Sequence, residues 1–460
     1  MTQQARFLTG STMGHVARMT LTGAFGMTFV FVVDAANLFW ISLLGDPQLL
    51  AAMGFAFALQ LMSVSTGVGM MIGAVALISR SIGAGDMDRA RRLATSAAIT
   101  AFIVQAGVAT GLIAFRYPLL GLLGASGETA DIAARYLVIS LPTIAIMAFG
   151  MVGMGTLRAQ GDARRSLMVT LSAGIVAMVL DPLMIYVLGW GVDGAALGVN
   201  LFRGIMCIQA LRFTIRVHDL MAKPNLHDVI HNARAHFAVA IPAIATQLST
   251  PVGNALLTAV IAPFGDAAIA GWTVIGRMTV VAFAGIFSLA GAIGGIFGQN
   301  YGARNPERLR SAYRDAMIFG ACYTLITWVL LAWAADGVID GLGLPPEAGK
   351  VVHAFTDYAA VAFFFVSALF VSNAAFNTLG RPLWSTGFNW IRDGIITLPL
   401  GLAFAAWFGA NGVIYAQAVA SVLVGGIAGY AGWRYVRQLS RQMTAAAAVP
   451  TAPASVDPVG

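Results

Sequence analysis

Twelve stretches of mainly apolar residues, each long enough to cross a lipid bilayer, dominate the chain. They cover residues 17–44, 49–79, 93–115, 132–157, 166–188 and 194–215. After a polar stretch come 237–264, 267–299, 312–335, 351–379, 384–408 and 412–435. A spanning helix needs about 20 predominantly apolar residues. Turn-forming segments separate the runs, among them Gly45-Asp46-Pro47, Gly189-Trp190-Gly191, Pro345-Pro346 and Gly409-Ala410-Asn411-Gly412. Of all residues 58% are hydrophobic and 10% charged, whereas a soluble domain carries about 25% charged residues. In water such a chain would leave apolar surface exposed; in a bilayer it does not. The first run is too long for the apolar core of a signal peptide and reads as a retained helix. Cys207 and Cys322 lie in separate runs, far apart in sequence, and imply neither a disulfide framework nor a cysteine metal site.

The net charge of +7 would suggest nucleic acid in a soluble protein. Here the basic residues sit in short loops on one side: Arg80, Arg89, Arg91, Arg92, Arg158, Arg164, Arg165, Arg212, Arg216, Lys223, Arg304, Arg308, Arg381 and Arg434 among them. The opposite loops offer little beyond Arg116, Arg135 and Lys350. The positive-inside rule then places both termini in the cytoplasm. Residues 218–236 form the longest polar connector and contain four histidines. His227 and His231, four apart, could share a helix face, but nothing completes a usual metal site, so the stretch reads as a solvated linker. Residues 443–460 are rich in Ala and Pro and read as a disordered cytoplasmic tail.

The two halves repeat at a spacing near 220. Gly83-Ala84-Gly85-Asp86 with Arg89 and Arg91 answers Gly302-Ala303-Arg304-Asn305 with Arg308 and Arg310. Leu44-Gly45-Asp46 answers Phe264-Gly265-Asp266, and Gly191-Val192-Asp193-Gly194 answers Gly409-Ala410-Asn411-Gly412. Each unit holds an even number of spans, so both have the same orientation. The expected fold class is an all-α polytopic membrane protein of about twelve transmembrane helices. They form two six-helix bundles, residues 1–217 and 237–442, related by a pseudo-two-fold axis along the membrane normal. That plan suits a transporter with a cavity between halves that rock.

Charges inside the spans need a reason, since each costs roughly 2.5–3.5 kcal/mol at a helix centre on insertion scales. Asp34 lies in the first span and Asp181, before Pro182, in the fifth. Both helices run outward, and both acids sit roughly 10–15 Å below the outer end. Facing one cavity, they could share or exchange a proton, because two desolvated carboxylates do not both ionise cheaply. Alternatively each is a structural carboxylate, Asp181 satisfying backbone groups freed by Pro182. At the repeat offset Asp34 corresponds to Asn254, so titratable chemistry is concentrated in the first half. Asn200, at comparable depth, is a candidate hydrogen-bond partner, and Asn254 and Tyr136 are further candidates for hydrogen bonding in the cavity. Adjacent Arg392 and Asp393 read as an ion pair, while Arg203 and Arg277 have no evident partners.

The segments Val33-Asp34, Ser79-Arg80-Ser81-Ile82-Gly83-Ala84-Gly85-Asp86, Leu157-Arg158-Ala159-Gln160-Gly161-Asp162, Leu180-Asp181-Pro182-Leu183 and Gly189-Trp190-Gly191-Val192-Asp193-Gly194 occur in one order. Together they resemble the multidrug and toxic compound extrusion (MATE) transporters, closer to the DinF-like branch. The resemblance implies an antiporter in a bacterial cytoplasmic (inner) membrane. It would act as a monomer, without a prosthetic group, and exchange organic, often cationic, molecules for H⁺ or Na⁺. It implies that Asp34 and Asp181 couple the cation. Ala177 stands where that branch often has Asn, and the first span lacks the family's frequent proline. The acids of the sodium-linked branch are missing from the seventh span and from residues 363–379, which leans towards H⁺.

Three other classes remain to be weighed. A lipid-linked oligosaccharide flippase of the same superfamily would carry more basic residues in its cavity. A major-facilitator carrier would show a Gly-x-x-x-Asp-Arg-x-Gly-Arg-Arg loop, which residues 85–92 do not match. A membrane enzyme needs an embedded histidine or paired aspartates of its own motif, and no histidine lies deep in an apolar run.

Overall fold

The computed structural model describes residues 5–448, which are helical and contain no strand. Twelve spans result when one bent pair is counted as a single crossing. In the first half they are α1 (Thr12–Ser42), α2 (Pro47–Gly83), α3 (Met87–Ala114), α4 (Pro142–Gln160), α5 (Ala163–Val187) and α6 (Gly191–Val217). The second half holds α7 (Leu226–Phe264), α8 (Asp266–Ala282 with Ala284–Gly302), α9 (Pro306–Gly341), α10 (Pro346–Leu379), α11 (Pro382–Phe408) and α12 (Ala410–Ala446).

Several boundaries differ from the sequence expectation. The run at 132–157 is not one helix: Gly127–Ser140 ends at Leu141, and Pro142 opens α4. Proline has no N–H to donate but suits the first turn of a new helix. The two parts of α8 meet at 46° around Phe283. Residues 226–236, read as linker, are the first turns of α7, begun where the Asn225 side chain accepts from the His227 N–H. That start brings His236 into the helix interface, 2% exposed and bonded through Nε2 to the Met70 carbonyl at 2.9 Å. A histidine therefore does lie inside a span. At the other end the last helix continues to Ala448, so residues 443–448 of the expected tail are helical. The rest of that tail, 449–460, lies outside the described residues.

The duplication is visible in matched local structure. Asp86 caps α3 by accepting from the Arg89 N–H, and Asn305 caps α9 by accepting from the Arg308 N–H. Such N-caps are worth about 1 kcal/mol each. The halves meet through α2 against α7, α1 against α8, and α2 against α8. Exchanging each helix for its repeat partner turns the first contact into the second and maps the third onto itself. Backbone contacts obey the same exchange: a Cβ at Gly83 would overlap the Gln299 carbonyl, and one at Gly302 would overlap the Arg80 carbonyl. Only glycine allows helices this close.

Hydrogen bonds between the halves cluster on the side where both ends of the described chain emerge. Arg80 donates to the Thr378 carbonyl, Gln299 to the Ala159 carbonyl, and Ser288 to the Thr20 carbonyl. The segment before α1 is wedged into this seal. Phe7, 1% exposed, packs against Gly161 and Gly295 from opposite halves and donates its N–H to Gln299. Arg308 then clamps the Phe7, Thr9 and Gly10 carbonyls. The arginine-rich face is therefore closed.

Candidate functional site: an acidic cluster and a central cavity

α1 and α5 bring the two expected acids into the same polar cluster of the first half. Asp34 lies eight residues before the end of α1, and Asp181 six residues before the end of α5, about 9–12 Å from those ends. Asp181 is 2% exposed and accepts from Asn37 Nδ2 at 2.9 Å. A Cβ at Gly198 of α6 would overlap its Oδ1, so the carboxylate is seated in a notch between three helices. It bonds to a side chain, not to the backbone groups freed by Pro182. The chain continues past that proline in a π-helical turn at Leu183–Val187. Asp34 is exposed and lies on α1 one turn before Asn37, near buried Tyr136 and Arg203. Tyr136 is wholly buried, with a hydroxyl that has no hydrogen-bond partner. Oxygens Oδ1 of Asp181 and Oδ1 of Asn37 are likewise unpaired.

Arg203 is the cation of this cluster. Its guanidinium donates to the Ser140 carbonyl, to Thr143 at 3.2 Å and to Gln60 at 2.9 Å. The first two acceptors flank the break at Leu141. Asn200 does not bond to either acid, as had been expected. It accepts from Thr143 at 2.6 Å and donates to the Ile139 carbonyl at 2.9 Å, which ties α6 to the same break. Asn37, one turn beyond Asp34, is the functional candidate that sequence reasoning missed. Two carboxylates and one guanidinium leave the cluster about one positive charge short of neutrality, a costly state inside a membrane.

Between the halves lies a cavity of about 700 Å³, lined from α1, α2, α4, α7, α8, α10, α11 and α12. Asn254 lines it, as expected of a cavity residue; Asp34, Tyr136 and Asn200 do not. Six aromatic residues contribute walls, Trp272 and Phe363 among them. Arg392 reaches the cavity while bonded to Asp393 at 2.6 Å, the ion pair expected from their adjacency. Asp393 also accepts from Ser249 of α7 at 2.9 Å. Each half thus has an acid in its fifth helix that takes a hydrogen bond from its first helix. His227 and His231 stack with ring centres 6.0 Å apart. Among the described residues no group of three or more potential metal ligands is gathered.

The comparisons with known proteins agree with this architecture. The MatE family profile matches residues 23–183 and again 242–403, two segments whose starts are separated by the spacing of the repeat. The chain is 25% identical over 415 residues to a Shewanella oneidensis protein named FAD transporter, covering 88% of this chain and 91% of that one. It is 22% identical over 413 residues to the multidrug export protein MepA of Staphylococcus aureus, covering 86% and 88%. Among solved structures it is similar to the Vibrio cholerae MATE transporter VcmN, with TM-score 0.88 and 23% identity over 94% of this chain and 99% of that one. A multidrug resistance MATE transporter described as outward-facing gives TM-score 0.87 at 23% identity, covering 96% and 99%. A duplicated twelve-span fold, and a family profile that matches both halves of it, make this chain a member of the MatE family, the MATE transporters, and so a multi-pass membrane transporter rather than an enzyme.

Proposed function

We propose that the protein is an antiporter that exports small organic molecules by alternating access, driven by protons entering through Asp34 and Asp181. The observation that carries the reading is the asymmetry of the interface between halves. It is sealed by hydrogen bonds on the arginine-rich side, and a large cavity lies beyond the seal. With that side cytoplasmic, as the arginine count indicates, this is the outward-facing end state of a rocking cycle. The cavity and both acids belong to one chain, so a monomer suffices. Relatives named for multidrug export and for FAD transport, both from bacteria, support organic cargo, and the proposed location is a bacterial cytoplasmic membrane.

Coupling follows from charge. The cluster of Asp34, Asp181 and Arg203 lacks about one positive charge, and one proton taken up from outside neutralises it. Closure of that half then buries no net charge, and opening inward releases the proton, each worth about 2.3 kcal/mol per 100 mV of membrane potential. The unpaired oxygens of Asp181 and Asn37 also favour a second reading, in which Na⁺ supplies the charge. Ethidium export from proteoliposomes under an imposed pH gradient, and separately a sodium gradient, distinguishes them. Proton-driven export in wild type and its loss in Asp34→Asn are expected. Undiminished export in Asp34→Asn sinks the role given to that residue, and export with sodium alone replaces H⁺ by Na⁺.

A further inference from the structure

The central cavity has a charge that the family resemblance did not imply. Its charged lining consists of Arg158 and Arg392, with no carboxylate. Arg392 is matched by Asp393. Arg158 is not matched: its guanidinium reaches Ser166 Oγ at 3.2 Å and Met154 Sδ at 3.8 Å, and no acid lies within ion-pairing distance of it among the described residues. Although its Nε is held by Ser166 in the first turn of α5, the end of the side chain points into the cavity. Its Nη1 lies where a Cβ on Gly291 would be 3.1 Å away, and Gly291 is eleven residues inside the end of α8, about 16 Å. An unpaired guanidinium aimed into a cavity asks for an anion.

A second, independent feature lies on α10. Asn373 and Asn377, one turn apart, are 7% and 4% exposed and line the cavity. The side-chain oxygens of both are unpaired, and neither side chain makes any hydrogen bond within the protein. Buried amides without partners each cost about 1–3 kcal/mol, a cost that a ligand with matching donors and acceptors removes. Phe287 and Phe370, one turn from Gly291 and Asn373 with ring centres 5.8 Å apart, supply apolar walls, and the volume suits one drug-sized molecule.

We infer that this cavity binds a water-soluble heteroaromatic anion. Its phosphate or carboxylate meets Arg158, its ring stacks on the aromatic walls, and its ring N–H and C=O groups pair with Asn373 and Asn377. The inference rests on the export reading above and names an anion as the cargo, where the family resemblance implied molecules that are often cationic. An oxyanion could also come from a lipid headgroup, but the paired amides and aromatic walls favour a ring-bearing solute.

Riboflavin 5′-phosphate and riboflavin share one ring system and differ by a phosphate, so quenching of their fluorescence by the purified full chain tests the charge directly. The phosphate form is expected to bind about tenfold tighter or better. Arg158→Gln should abolish that preference and Arg158→Lys should keep it. Asn377→Leu should weaken both flavins alike, a result that does not depend on the arginine variants folding. Equal affinity for both flavins, or tighter binding of ethidium than of either, overturns the inference. Displacement by adenosine monophosphate supports a soluble ligand, and displacement only by a lipid monophosphate in micelles overturns it. Gradient-driven ethidium export without flavin binding defeats this inference and leaves the exporter standing. Charge-selective flavin binding without transport under any gradient supports the inference and defeats the exporter.

Discussion

Asp162 shows what a buried carboxylate costs outside the spans. Burial pushes its pKa up, but hydrogen bonds from His218, from the Arg165 N–H and from the Arg165 guanidinium outweigh burial and hold the carboxyl well below the usual range. The His218 contact is 2.8 Å and nearly solvent-free. Removing one member of such a pair typically costs 3–5 kcal/mol. Because the folded pKa is depressed, the contribution is complete above the ordinary carboxylate value of about 4 and fades as pH falls below it. Thermal unfolding in detergent should therefore show Asp162→Asn less stable than wild type near pH 7, with the gap narrowing below about pH 4. Within the membrane the corresponding test is Gly198→Ala. The added methyl overlaps Asp181 Oδ1, so it should displace the carboxylate and reduce proton-driven export as strongly as Asp181→Asn, while the number of acids is unchanged. Export at the wild-type rate would show that the seating of Asp181 does not matter. Asp34 and Asp181 were legible in the sequence because charge is rare in apolar runs. Asn37 was not, since an amide one turn from Asp34 looks like any other until the fold places it 2.9 Å from Asp181. The partners of Arg203 were hidden for the same reason, being carbonyls and amides on two other helices.

Among the helices, the short segment ahead of α1 has an influence beyond its length. Phe7 sits between the halves, and burying a phenylalanine is worth about 1.5–3 kcal/mol. Phe7→Ala should shift the protein towards the state open on the arginine-rich side, about tenfold for each 1.4 kcal/mol of that burial present only in the sealed state. Labelling of a cysteine introduced at Ser79, buried beneath the seal, measures the shift; an unchanged labelling rate would remove the segment from the gate. The expected spans were largely found, because twenty apolar residues have few other uses. The breaks at Leu141 and Phe283 were not read, since neither interrupts the hydropathy. The start of α7 was also missed: its first turns are polar, and only the Asn225 cap marks them. These irregularities shape the polar cluster, as the break at Leu141 lies beside the Ser140 carbonyl that Arg203 bonds.

For the whole molecule, the reciprocal contacts of Gly83 with Gln299 and Gly302 with Arg80 define a hinge-side interface that must separate if the halves rock. The described structure is sealed there and hollow beyond it, which in the proposed alternating-access cycle is one end, the other being obtained by exchanging the two conditions. The central claim is that protonation of the acidic cluster shifts the balance between those ends. Spin labels placed at Leu44 and Phe264, the corresponding turns of the two halves on the far side, report that balance as a distance, once Cys207 and Cys322 are replaced. In wild-type protein in lipid, two distance populations should exchange weight as pH is lowered through the range in which transport occurs. In Asp34→Asn their ratio should be independent of pH. A single distance at every pH, or the same pH response in wild type and Asp34→Asn, would contradict the account.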